Sequence, residues 1–122
     1  MPEQRSKLAG AAQTVLVVHL PTKLVDETTD PVREEVARRL PNADGAGVVL
    51  DCRDVQLMNS IGITCLLQVQ DLCRKRRAAF VLAGVPAPIA TFLHQLKLDR
   101  RFVSLPTVEE AIAHIDAGSR VG

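Results

Sequence analysis

Ser60 is the residue of this chain best placed to carry a negative charge. An apolar run, Val48-Val49-Leu50, ends at Asp51 and reads as a strand buried on both faces. A loop follows, and Leu57-Met58-Asn59-Ser60-Ile61-Gly62 opens a helix at Asn59 or Ser60. A hydroxyl in the first turn of a helix lies beside unpaired backbone N–H groups and the positive end of the macrodipole. A phosphoryl group attached there gains hydrogen bonds, so the position suits a phosphorylation switch. The competing reading is that Ser60 serves only as a helix cap.

Asp51 offers a different chemistry. A carboxylate at the C-terminal end of a buried strand could accept an acyl phosphate, as in a response-regulator receiver. That use needs an acidic pair after the first strand to hold magnesium, but Val18-His19-Leu20 is followed by Pro21-Thr22-Lys23. Other catalytic patterns are missing. His19, His94 and His114 lack metal-ligand spacing. Neither a G-x-x-x-x-G-K-[ST] phosphate loop nor a G-x-G-x-x-G turn occurs, and Ser60 has no G-x-S-x-G elbow. No catalytic residue, metal or cofactor is therefore expected, and the chain reads as a non-enzyme.

The elements that hold Ser60 must come from a chain of 122 residues, enough for one domain and too short for two. With 47% hydrophobic and 24% charged residues, it has the ordinary composition of a soluble globular fold. A formal charge of +1 gives little support to nucleic-acid binding. The densest basic run, Arg74-Lys75-Arg76-Arg77, reads as a complement to a helix dipole ahead of a binding patch. No signal-peptide pattern opens the chain, and the first apolar run, Val15 to Leu20, is too short to cross a bilayer. A cytoplasmic location without membrane insertion is expected. Cys52, Cys65 and Cys73 fit it, being odd in number with no C-x-x-C pair. Each reads as a small buried hydrophobe.

Residues 1–12 read as a frayed segment or an edge strand, 13–118 as one domain, and 119–122 as a tail. Gln13 to Leu20 is a strand. Asp30-Pro31 predicts a helix start, with Asp30 as cap and Pro31 at the first helical position. Val32, Val36 and Leu40 form its buried stripe. Asn42-Ala43-Asp44-Gly45 is a turn, and Gly47 to Asp51 is the second strand. A helix from Ser60 to about Arg76 buries Ile61, Cys65, Leu66, Val69, Leu72 and Cys73. Gly62 lies in that face, where a missing side chain allows close packing. Ala78 to Ala83 is a strand, Pro88 starts a short helix, and Phe102-Val103 begins a last brief strand. Thr107-Val108-Glu109-Glu110 is a capping box for a helix ending near Gly118. The alternation predicts an α/β fold: a mostly parallel sheet of four to five strands with about four helices.

Over roughly Val15 to Ile115 the chain resembles the STAS domain family of bacterial anti-sigma-factor antagonists and their relatives. Many members carry Asp-Ser-Ser-Gly-Leu-Gly after the central strand, matched here by Asn59-Ser60-Ile61-Gly62-Ile63-Thr64. Val25-Asp26-Glu27-Thr28-Thr29 is similar to the family's Leu-Asp-x-x-Thr, and Val81-Leu82-Ala83-Gly84-Val85 through Leu98 to its strand, loop and third helix. The resemblance implies a regulatory protein-binding domain whose partner is an anti-sigma factor that is also a serine protein kinase. The free form binds the partner, phosphate on Ser60 breaks the complex, and a phosphatase reverses it. The resemblance also places Asp26 and Thr28 near Asn59 and Ser60. Ile63 and Leu67, read as lying off the buried stripe, form an i, i+4 ridge there for a partner, unless a neighbouring element covers them.

Three positions depart from the family pattern: Asn59 replaces an aspartate, Ile61 replaces a second serine, and Lys97 stands where glycine usually precedes leucine. They keep a second function open, that of a non-phosphorylated STAS scaffold or accessory subunit in a signalling or lipid-transport assembly. Oligomeric state stays open.

Overall fold

Val48, Val49 and Leu50 are fully buried, which sends their strand through the middle of the sheet with apolar cover on both faces. The structure is a computed structural model describing residues 15–43 and 45–118. The expected N-terminal segment and the 119–122 tail lie outside the described residues. The chain runs β1 (Val15–His19), β2 (Lys23–Leu24), α1 (Asp26–Arg39), β3 (Gly47–Asp51), β4 (Leu57–Met58), α2 (Ser60–Lys75), β5 (Ala79–Ala83), α3 (Ala87–Gln95), β6 (Val103–Leu105) and α4 (Val108–Asp116).

Four strands form one parallel sheet in the order β1-β3-β5-β6. Each crossover carries a helix, as parallel neighbours require. The two sheet faces are covered unequally. Leu16, Val18, Val48, Leu50 and Leu82 join residues of α1, α2 and α3 in the larger core. Val15, Val49, Val81 and Ala83 meet Ala111 and Ile115 of α4 in the smaller one. Each fully buried Val or Leu contributes about 1.5–3 kcal/mol of transfer free energy. The expected α/β architecture is therefore the one observed.

Three local features differ from expectation. First, α1 begins at Asp26, one turn before the expected Asp30-Pro31 start, and Pro31 sits inside it. Thr28 makes the earlier start possible: its hydroxyl accepts from the Val25 N–H (2.9 Å) and donates to the Lys23 carbonyl (2.7 Å). Pro31 then deprives only the Glu27 carbonyl of its helical donor, and Glu27 is exposed. Second, β2 and β4 form a separate parallel pair, Lys23 with Leu57 and Leu24 with Met58, strands too short for periodicity to reveal. Third, α2 and α3 end on non-glycine residues in left-handed backbone, Arg77 (φ 58°) and Lys97 (φ 61°). Ala78 N–H reaches Cys73 O and Leu98 N–H reaches Leu93 O, both at 2.8 Å, so each turn is a Schellman motif whose central position favours glycine.

Candidate phosphoacceptor and partner-binding site

The small β2–β4 pair sets the start of α2. Gly62 packs so closely beneath β2 that a Cβ there would lie 2.2 Å from the Leu24 carbonyl oxygen. Only glycine permits that approach, and it pins the first turn of α2 against the chain entering α1. Sequence had read Gly62 as a packing position; its neighbour is the Leu24 backbone.

Asn59, not Ser60, is the cap. Its Oδ1 accepts from the Gly62 N–H at 3.0 Å, while its Nδ2 donates to Asp26 Oδ1 at 3.0 Å. One amide side chain thus caps α2 and ties it to the first residue of α1, a pair of roles that a carboxylate could not fill at once. The Ile63 N–H is satisfied by the Asn59 carbonyl. Ser60 is left as the first residue of α2, exposed, its hydroxyl without a hydrogen-bond partner among the described residues. The Ser60 and Ile61 amides belong to the first turn, at the positive end of the dipole.

The structure brings Asp26, Asn59 and Ser60 together. Thr28 lies in the same turn of α1, half-buried and committed to Lys23 and Val25. The ridge expectation is corrected. Ile63 is 5% exposed and part of the larger core, and Leu67 is half-buried against that core. Ile61, expected inside, is 43% exposed. The two isoleucines lie about 100° to either side of Gly62 on the helical wheel, and the pattern favours Ile61 for the buried side; the packing of α1 beside α2 buries Ile63 instead. Leu57, 50% exposed, joins Ile61 to flank Ser60 with apolar surface. Sequence reading missed Leu57 because a two-residue strand has no measurable alternation.

Asp51 has a different environment. Its side chain is 2% exposed, accepts from His19 Nδ1 (2.7 Å) and the Arg53 N–H (3.3 Å), and forms an ion pair with Arg53 Nε (3.2 Å). Those donors occupy the oxygens that a receiver-type acceptor would offer to a phosphoryl group. The cysteines are all free and buried; burial pushes the Cys52 and Cys73 thiols up to about 12 and raises Cys65 as well. Among the described residues no group of His, Cys, Asp and Glu is placed to hold a metal ion, and no helix is long and apolar enough to cross a membrane.

The model of the STAS domain family matches residues 8–111. The chain belongs to the STAS domain family. Solved structures agree in fold. An anti-sigma-factor antagonist (STAS) domain protein from Planctomyces limnophilus is 16% identical with a TM-score of 0.70, covering 82% of this chain and 89% of its own. A sulfate transporter family protein from Wolinella succinogenes is 16% identical with a TM-score of 0.73, covering 85% and 86%. A chain of the stressosome, described as a signal integration and transduction hub, is 20% identical with a TM-score of 0.68, covering 91% and 97%. No curated protein gives a significant sequence match. Within the STAS frame the Lys97 departure has a physical meaning: the family's glycine position is left-handed here, and lysine adopts it at a cost.

Proposed function

We propose that this STAS domain is a regulatory protein-binding module of the anti-sigma-factor-antagonist type, acting in the cytoplasm without catalysis of its own. It binds an anti-sigma factor that is also a serine kinase, through the surface around Ser60, and phosphorylation of Ser60 switches binding off. The observation that carries the reading is the freedom of Ser60: Asn59 performs the capping, so the exposed hydroxyl has no structural duty to keep it from a kinase. The Leu57 and Ile61 side chains supply apolar contact beside it. A phosphate adds close to two negative charges near the Asp26 carboxylate, which Asn59 holds in the same cluster. A partner closing over that surface would have to desolvate both anions.

The test is capture from the source organism's lysate by wild type and by Ser60→Asp, read by mass spectrometry, then titration of the captured kinase. Ser60→Asp is expected to weaken binding by about 2 kcal/mol, roughly thirtyfold in Kd. Equal capture of one partner by both proteins would sink the switch. It would favour the second reading, an unswitched scaffold or accessory subunit, which the likeness to a stressosome chain and to a sulfate transporter family protein supports.

A further inference from the structure

A second surface lies at the other end of α2, roughly 22 Å from Ser60 along the helix axis. The C-terminal turn of α2, the start of β5 and the approach to β6 enclose an open groove of about 1150 Å³. Arg74, Arg76, Arg77, Arg100 and Arg101 line it, and among the described residues none of those lining it carries a carboxylate, although Arg74 pairs with Asp71 at 3.5 Å. Five of the chain's 15 Lys and Arg residues thus share one groove. Phe80, Val81 and Val103 contribute apolar lining, with Val103 45% exposed.

Two features show the arginines held in position. Gln70 clamps Arg101: its Nε2 donates to the Arg101 carbonyl (2.8 Å), and its Oε1 accepts from Arg101 Nε (3.1 Å). The outer guanidinium nitrogens of Arg101 stay available for a fork-like contact with an anion. Arg77 occupies the left-handed position that glycine would take without strain. A helix dipole is satisfied by Arg74 and Lys75 in the last turn, so it does not require a cation at that strained site.

We infer that this groove docks an acidic segment of a protein partner, with carboxylates on the arginines and apolar side chains between them on Phe80, Val81 and Val103. Charge complementarity selects the occupant's sign. A single-stranded nucleic acid fits less well. The chain has no Trp or Tyr, and Phe80 is engaged edge-to-face with the buried Phe102, at 6.1 Å between centroids, so no free aromatic platform receives bases. A small anion fits less well because it would leave most of the 1150 Å³, with the apolar lining, unfilled. The domain then presents two separate partner surfaces, one per end of α2.

Fluorescence anisotropy of the full chain with a fluorescein-labelled peptide of alternating glutamate and leucine tests this. Saturable binding that weakens with added salt is expected. Arg77→Gly should weaken it about threefold without lowering the melting temperature, and Arg74→Gln with Arg101→Gln about tenfold. Ser60→Asp should bind the peptide as wild type does, so this result stands or falls apart from the phosphoswitch. Absence of saturation, indifference to the arginine replacements, or tighter binding of a single-stranded oligothymidylate would each overturn the proposal.

Discussion

The two ends of α2 are built by opposite means. At its start, glycine appears where backbone meets backbone, one asparagine makes two hydrogen bonds, and the serine between them is left unengaged. At its end, an arginine stands where glycine would be easier, and five arginines gather in one groove, of which Arg74 pairs with Asp71. The first end is optimised for local geometry, so its free group stands out. The second accepts local strain to present charge. Regions where sequence agrees with backbone preference report on folding, and regions where it does not are where function is to be sought.

The largest expected effect breaks the first end. Gly62→Ala puts a methyl group 2.2 Å from the Leu24 carbonyl, and backbone cannot yield as a flexible side chain does. A loss of about 3 kcal/mol is expected in urea unfolding, with the β2–β4 pair displaced. A loss below about 1 kcal/mol would mean that the close approach is not a constraint.

The thiols compare the two ends by pH, since Cys52 opens the loop to Ser60 and Cys73 lies one turn from the basic groove. Both have thiols pushed up to about 12 from their ordinary 9.0 by burial, and the Asp51 charge adds to the effect at Cys52. The unfolded chain therefore releases these protons first. Stability is unaffected below pH 9 and falls as pH rises from 9 toward 12, by about 1.4 kcal/mol per thiol per pH unit. Urea midpoints for wild type, Cys52→Ala and Cys73→Ala between pH 8 and pH 10 check this. Each replacement should flatten the decline, and a flat wild-type profile would contradict it.

Asn59→Ala removes a cap and the tie to Asp26, with an expected loss of about 1 kcal/mol. Asn59→Asp restores the family's residue and sharpens the question. It keeps the cap but loses the donor to Asp26 and sets two carboxylates side by side. If the tie matters, Asn59→Asp should be less stable than wild type at pH 7 and recover as acid protonates one carboxylate. Equal stability at pH 7 would show that Asp26 and Asn59 are neighbours without consequence.

How much of this was legible beforehand follows from the range of each signal. The buried run Val48-Val49-Leu50 and the α2 stripe of Cys65, Leu66, Val69 and Cys73 are local patterns, and they specified the parallel sheet and its helices. Ser60 at a helix start was equally local. Which residue caps the helix depends on a hydrogen bond to Gly62 and another to Asp26, 33 positions away. The exchange of Ile61 and Ile63 depends on the neighbouring helix. The basic groove was half visible: Arg74 to Arg77 form a run, but Arg100 and Arg101 join it only through the fold, and Gln70 records the meeting.

The smallest expected effect separates strain from purpose at the two helix ends. Arg77 and Lys97 share a left-handed conformation, φ 58° and 61°, which costs a residue with a Cβ about 1 kcal/mol or more. Glycine relieves that strain, while raising the entropy of the unfolded chain and removing a cation near a helix C-terminus, worth about 0.3–1 kcal/mol. The balance leaves Arg77→Gly and Lys97→Gly each more stable than wild type by about 0.5 kcal/mol. Raising the salt should increase the gain at Lys97, because screening weakens the dipole interaction and leaves the backbone strain untouched. The pair differ in surroundings: Arg77 lines the groove with four other arginines, whose mutual repulsion adds to the relief, whereas Lys97 follows the turn beside His94 and Asp99. Arg77→Gly should therefore stabilise more than Lys97→Gly at low salt, the difference closing as salt rises. A gain at Lys97 alone would mean that Arg77 is held by contacts stronger than its backbone strain.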